Sequence, residues 1–297
     1  IYAIDSIAAG TNQLVISGGL ESMSNAPQLL MTGRKGIRLG HGQTFDHMFL
    51  DGLEDAYTGG AMGSFAQATA DAHGLTREAM DQYAIASLER AKSATESGVL
   101  QGEITPVTIK TRRGEHTVEH DEQPLKGRPD KIPSLRPAFT KDGTITAANS
   151  SSISDGASAL LVASAAAVEA HNLQPMAKIV AHSRFSRPPE EFTLAPVGAI
   201  EKLLERTGWN AADVDLWEIN EAFAMVTMLA MNAFNLDHDR VNVHGGACAQ
   251  GHPIGSTGSR ILVTLAHAMQ HYGKQRGIAA LCIGGGEATA VAIERVV

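Results

Sequence analysis

The clearest periodicity in the chain is helical. Met80, Tyr83, Ala84, Ser87, Leu88 and Ala91 recur at i, i+3, i+4, i+7, i+8 and i+11, which is one stripe of a helix. Thr76 offers an N-cap hydroxyl to that helix and Gly98 a C-terminal stop. Beyond residue 148 short apolar runs alternate with longer amphipathic ones. Residues 159–162, 178–181, 214–219, 241–243, 279–283 and 289–293 read as strands. Between them an Ala-rich stretch and residues 196–207, 221–234 and 255–272 read as helices, with stops at Gly208 and Gly273. Such alternation predicts an α/β architecture, a mixed sheet covered by helices. Nearer the start, residues 1–10 read as the tail of a helix, 13–17 as a buried strand and Gly18-Gly19 as a turn. Residues 23–148 are polar and glycine-rich apart from the one strong helix, and 112–137 read as loop.

Composition narrows the function classes. A chain of 297 residues is long enough for two compact units, and its net charge of −8 argues against nucleic acid or an anionic membrane as partner. No apolar run approaches the ~18 residues of a membrane span. Two cysteines do not make a disulfide framework, so a reducing, cytoplasmic setting is expected. Residue 1 is Ile and the chain enters a helical pattern at once, so a fragment of a longer protein is expected, N-terminally incomplete.

Three segments carry candidate chemistry. Asn220-Glu221-Ala222-Phe223 stands where a strand gives way to a helix that is apolar nearly all round, so its side chains face the crevice at a strand's carboxyl end. A plain Asn helix cap is the alternative. Gly251-His252-Pro253-Ile254-Gly255 holds an imidazole on a stiff loop before a helix, placed to act as a base or as a donor to an oxyanion. A satisfied core histidine is the bland reading. A metal site from His244, Cys248 and His252 requires a helix that Gly245, Gly246 and Gly251 oppose. Cys282-Ile283-Gly284-Gly285-Gly286 places a thiol at a strand end beside residues without side chains, open to a ligand, although Cys282 also suits a core.

In order, and 32 and 30 residues apart (220 to 252 to 282), these segments resemble the NEAF, GHPxG and CxGGG signatures of the thiolase family. The resemblance runs the length of the chain. Gly18-Gly19-Leu20-Glu21-Ser22-Met23-Ser24, Asp51-Gly52-Leu53-Glu54-Asp55-Ala56, Leu135-Arg136-Pro137-Ala138-Phe139 and Thr146-Ala147-Ala148-Asn149-Ser150-Ser151 match further family segments. It implies a layered αβαβα fold. Residues 1–22 and 149–174 would form the remainder of an N-terminal half, 23–148 a loop domain for coenzyme A and tetramer contacts, and 175–297 a C-terminal half.

The resemblance also implies roles. Cys282 is the acid/base at the acetyl α-carbon, its thiol tuned towards neutrality. His252 activates a cysteine nucleophile and binds the thioester oxygen. Asn220 supports that oxyanion through a water, and the Gly284 N–H serves a second oxyanion hole. Ser151, Leu53, Met62, Phe139, Phe192, Ala222 and Phe223 line a pantetheine tunnel, and Lys126 and Arg128 face the phosphates. No cofactor and no metal are implied; coenzyme A thioesters are the substrates, and a homodimer or homotetramer is the assembly. The implied reaction joins two acetyl-CoA into acetoacetyl-CoA or cleaves a 3-ketoacyl-CoA, within fatty acid metabolism. Two departures stand out. Ala61-Met62-Gly63 replaces the frequent His-Met-Gly, and the family's nucleophilic cysteine falls upstream of Ile1, so the chain alone is expected to be inactive. A non-catalytic coenzyme A-binding fragment is one rival reading. A ketoacyl synthase of the same fold is another, disfavoured by Cys282 because such enzymes need no α-proton base there.

Overall fold

The computed structural model describes residues 1–296; Val297, the last residue of the third segment, lies outside them. Its helices are α1 (Tyr2–Ala8), α2 (Met62–Ala72), α3 (Arg77–Ser97), α4 (Glu122–Lys126), α5 (Ala165–Ala170), α6 (Ala195–Thr207), α7 (Ala224–Phe234), α8 (Ala247–Gln250) and α9 (Ile254–His271). Its strands are β1 (Leu14–Ser22), β2 (Gln28–Leu30), β3 (Thr44–Asp46), β4 (Val107–Thr111), β5 (Gly114–Val118), β6 (Asp155–Ala163), β7 (Ala177–Ser186), β8 (Leu216–Ile219), β9 (Arg276–Ile283) and β10 (Glu287–Arg295).

Two sheets face one another across α9. One is the antiparallel pair β1–β6, and the other has the order β7-β10-β9-β8, antiparallel except for the parallel β8–β9 pairing. On its second face the larger sheet is covered by α6, whose Ala199, Ile200 and Leu203 pack with Trp217, Ile219 and Ile278 in a fully buried core. This is the mixed, helix-covered α/β architecture that the alternation predicts. Every residue of β8 is buried, as expected of a short strand inside a doubly covered sheet.

The strong helix forms as read. Thr76 accepts the Ala79 N–H at its start, and Gly98 ends it in the left-handed region. Five local expectations change. The stretch 13–17 forms strand, from Leu14 onward, but not a buried one, with Leu14 and Ile16 exposed. Gly18-Gly19 is not a turn: both lie within β1, opposite Ala159 and Ser158, where a Cβ on Gly19 would overlap the Gly255 carbonyl of α9. The stretch 112–137 is not simple loop, because Thr111 and Gly114 close the β4–β5 hairpin and α4 follows. Residues 241–243 make a single bridge, Val241 to Trp217, rather than a strand. Residues 221–223 are not helical, since α7 begins only at Ala224.

Candidate active site

The delayed start of α7 creates the site's first wall. Phe223 is extended and bridges Ser150, while the Ser151 N–H and hydroxyl both donate to the Ala222 carbonyl at 3.0 Å. Asn149 accepts the Thr146 N–H through its side chain and takes the Ala224 N–H on its carbonyl. The segment 220–223 is therefore an extended strip pinned to 149–151, and Asn220 is not a helix cap. Its N–H binds the Ala280 carbonyl of β9, and its side chain is turned inward, 1% exposed.

Across from it stands His252, between α8 and α9. Asn220 Nδ2 and His252 Nε2 lie 3.3 Å apart, and His252 Nδ1 is 2.6 Å from the Thr257 hydroxyl. Thr257 has one proton to give, and the Pro253 carbonyl 3.0 Å away can only accept. The hydroxyl must then accept from Nδ1–H, which assigns Nε2 a bare lone pair facing the Asn220 amide. Burial, and after it the Arg260 charge, lower the imidazole's pKa to about 4, so it is neutral at ordinary pH. Asn220 Oδ1 is left buried with no hydrogen-bond partner, an acceptor aimed into the site.

The second wall is apolar. Cys282 on β9 pairs with Ala288 of β10 and packs in one buried cluster with Met62, Phe192, Ala222 and Phe223. Phe223 meets Phe192 and Phe139 edge-on, at 6.4 and 6.2 Å between ring centres. The Phe139 ring lies on Gly63, leaving no room for a Cβ there. Gly284 lies under the Met62 sulfur, where a Cβ would come within 2.9 Å. Burial among these groups, with no cation beside it, pushes the Cys282 thiol up to about 12. The site thus holds a protonated thiol and a bare imidazole, and the expectation of a thiol tuned towards neutrality does not hold.

Three implied ligand residues stand apart from that cluster. Leu53 is half-buried in the turn before the Glu54–Ala61 bridge, next to Gly52, which borders the Ile254 side chain at the start of α9. Lys126 and Arg128 are exposed and already face Glu122 and Asp130. Helix α4, which ends at Lys126, still touches the site, since Gln123 accepts the Ser152 hydroxyl and the Ser152 carbonyl accepts the His252 N–H.

Sequence reasoning missed Thr257 and Glu221. Glu221 is fully buried and accepts from Tyr83 (2.9 Å), Ser87 (2.7 Å), Asn242 (2.8 Å) and the Cys248 N–H (3.0 Å). A Cβ on Gly246 would overlap its carboxylate, so the Gly245-Gly246 pair and Glu221 belong to one packing unit that ties α3 to the His252 loop. The signal was legible: a lone acid inside an apolar run needs partners, and Tyr83 and Ser87 share one helix stripe. Cys248 directs its thiol to the Glu221 carbonyl, and burial with the nearby Glu221 charge holds that thiol well above the ordinary range. His244 turns to Tyr272 instead, so His244, Cys248 and His252 diverge. Among the described residues no cluster of metal-ligating side chains occurs.

Comparison with known proteins settles the kinship. Residues 1–166 match the thiolase N-terminal domain family and residues 173–295 the thiolase C-terminal domain family. The chain belongs to the thiolase family. It is 44% identical to the acetyl-CoA acetyltransferase of Escherichia coli, covering 99% of this chain and 75% of that thiolase. A probable acetyl-CoA acetyltransferase of Dictyostelium discoideum is 43% identical over 99% of this chain and 72% of its own length. Human mitochondrial 3-ketoacyl-CoA thiolase superimposes with a TM-score of 0.95 at 36% identity, covering 99% and 75% of the two chains. An Ascaris suum thiolase in complex with coenzyme A gives 0.91 at 40%, covering 98% and 74%. The chain thus spans about three quarters of these thiolases. Membership makes it part of an acyltransferase enzyme family, and no helix of the described residues is long and apolar enough to cross a membrane.

Proposed function

We propose that the chain supplies the acid–base and oxyanion half of an acetyl-CoA acetyltransferase, interconverting two acetyl-CoA with acetoacetyl-CoA and coenzyme A, or cleaving longer 3-ketoacyl-CoA. The observation that carries this reading is the Asn220–His252 pair, with its bare Nε2, at the head of a strip whose Ala222 and Phe223 pack in one cluster with the Cys282 thiol. An α-proton is weakly acidic, so its removal needs a base and donors for the developing enolate oxygen held in place beforehand. Cys282 is the base. Asn220, through a water, and His252, when its ring carries a proton, serve one oxyanion, and the Gly284 N–H serves a second oxyanion hole. A protonated Cys282 is ready to give its proton to the α-carbon when a 3-ketoacyl chain is cleaved. In condensation the thiolate takes the α-proton, and the enolate donors assist by lowering the pKa of that carbon.

Met62, Phe139, Phe192, Ala222 and Phe223 are read as the pantetheine wall, with Leu53 at its rim and Ser151 near the amides. Lys126 and Arg128 would have to exchange their carboxylate partners for phosphates. The pairing of β1 with β6 supports grouping residues 1–22 with 149–174, apart from 23–148 and 175–297. Exposed Met31, Ile37 and Leu39 support the 33–42 loop as a contact in a homodimer or homotetramer. Two free cysteines support a reducing, cytoplasmic setting.

Neither cysteine is read as the acyl carrier, because Cys282 is the base and Cys248 faces the Glu221 carbonyl. Loss of a nucleophile typically costs on the order of a millionfold, so these 297 residues alone should show next to no acetoacetyl-CoA thiolysis. Two measurements test the reading. Coenzyme A should bind by calorimetry and weaken in Phe223→Ala. In a chain provided with a nucleophile, Cys282→Ser should slow acetyl α-proton exchange by about 10²–10⁴. Normal exchange in that variant would remove Cys282 from the base role.

A further inference from the structure

One charged side chain with no assigned part in the chemistry links the strand that leads to Asn220 with the helix that carries Thr257. Arg260 lies on α9, three residues after Thr257 and hence on the same side of the helix. Its Nη1 stands 3.7 Å from Oε2 of Glu218, a buried carboxyl on β8. Glu218 is two residues before Asn220, so the two side chains leave the strand on one face. Two further acids face the guanidinium: Glu103, after α3, and Asp121, ahead of α4. Thr264, one turn further along α9, donates to Glu103 at 3.0 Å. Glu21 of β1 approaches the same end of the helix, accepting the Gly255 N–H. Arg260 Nη1 is buried without a hydrogen-bond partner, so this is an electrostatic contact rather than a satisfied fork.

We propose that Arg260 is a positioning residue for the Asn220–His252 pair, fixing the end of β8, through Glu218, against the turn of α9 that carries Thr257. Remove the guanidinium, and the carboxyls of Glu218 and Glu103 are left in the interior with no cation between them. The strand end then loses its contact, through the Glu218 oxygen, with the charge on the helix. The charge has a second effect. Burial raises Glu218 to about 8, so it largely keeps its proton at neutral pH and does not cancel the guanidinium's field. That field disfavours an imidazolium at His252 and adds to burial in keeping Nε2 bare.

The proposal draws its consequence from the acid–base reading, but its test reads geometry and charge without turnover. In the full chain, ¹⁵N-labelled histidine followed by NMR should show His252 as the neutral, Nδ1-protonated tautomer from pH 8 down to about pH 5. In Arg260→Met the ring should gain its proton about one unit higher, and its Nε2 signal should move at pH 7. Arg260→Lys keeps the charge and should retain the wild-type protonation while the Nε2 signal still shifts. Asparagine labelled alongside histidine brings in the Asn220 amide. Glu218→Leu, which removes the oxygen that meets the guanidinium, should shift the Asn220 amide and His252 Nε2 signals without protonating the ring at pH 7. Wild-type His252 and Asn220 signals in both Arg260→Met and Glu218→Leu would overturn the proposal. Should Arg260→Met fail to fold by circular dichroism, Arg260→Lys and Glu218→Leu decide it by the same signals. Coenzyme A binding by the wild-type chain tests the thiolase reading separately, so the two can fail independently.

Discussion

The two faces of α9 are built from opposite materials. Towards the four-stranded sheet the helix presents Ile261, Leu265, Ala268 and Met269, packed with Leu216, Ala279, Val291 and Ile293 in a dry core. Towards β1–β6 it presents Gly255, Ser256 and Ser259, and the sheet answers with Gly19 and Ser158. There the Ser158 hydroxyl lies 2.9 Å from the Ser256 carbonyl and 2.6 Å from the Ser259 hydroxyl. One face holds by hydrocarbon burial, the other by close backbone approach and a few hydrogen bonds. The outer side of β1–β6 contrasts again: Ile16 and Leu20 are 80% and 72% exposed. Stability is therefore concentrated on one side of the helix, while the side that sets the depth of its N-terminus, and so of His252, is a narrow seam.

Substitutions can break this comparison at either face. The largest effect should come from the hydrocarbon side, where Leu265→Ala creates a cavity and costs about 2–5 kcal/mol in urea unfolding. A loss no greater than that of a surface residue, within about 0.5 kcal/mol, would mean that the core is not where the structure puts it.

pH sharpens the contrast, because the apolar stripe does not titrate, whereas His252 and Glu218 near the helix N-terminus and His244 beside Tyr272 at its C-terminus do. His244 and His252 have pKa values of about 4 in the fold, below the ordinary value. They are neutral in the native state and take protons on unfolding. Their contribution, at most about 3 kcal/mol each, is whole above about pH 6.5 and is lost as pH falls towards 4. Glu218 acts in the opposite sense. Its pKa is raised to about 8, so its contribution is whole below the ordinary carboxyl value and is lost as pH rises towards 8. Stability should therefore climb from about pH 4.5 to a maximum near 6.5 and decline beyond it. The urea midpoint against pH is the measurement. Glu218→Gln should remove the decline and His244→Gln should reduce the climb.

Gly19→Ala tests the seam itself. A Cβ there overlaps the Gly255 carbonyl, and backbone must move, at about 1–3 kcal/mol. Because Gly255 is three residues from His252, the His252 NMR signals should move as well, which Leu265→Ala should not cause. Smallest is Ser158→Ala, expected to cost about 0.5–1.5 kcal/mol for its shared hydrogen bonds. A larger loss than that of Leu265→Ala would reverse the ranking of the faces.

Much of this was legible in the chain. The stripe from Met80 to Ala91, the caps Thr76 and Gly98, and the apolar β8 and α7 announced themselves by period and punctuation. So did the three site segments, whose residue types and order narrowed the chemistry before any contact was known. Thr257 and Glu221 were harder to find, because a hydrogen-bond partner is defined by approach in space. Nothing in the spacing of 252 and 257 says which imidazole nitrogen is held.

The α/β class and the thiolase kinship could be read from the chain alone, and so could Asn220, His252 and Cys282 as candidates, since these rest on local pattern and residue chemistry. Only the tertiary structure decided that Gly18-Gly19 is strand rather than turn. A turn glycine and a glycine admitting another backbone share the same missing Cβ, and they differ only in what lies opposite. The same holds for Asn220, which local propensity offers as a helix cap. The Ser150–Phe223 bridge delays the helix until Ala224, and the amide turns to His252 instead. Protonation states followed the same rule, because burial and the Arg260 charge, both properties of the packed molecule, set the imidazole and the thiol where they stand.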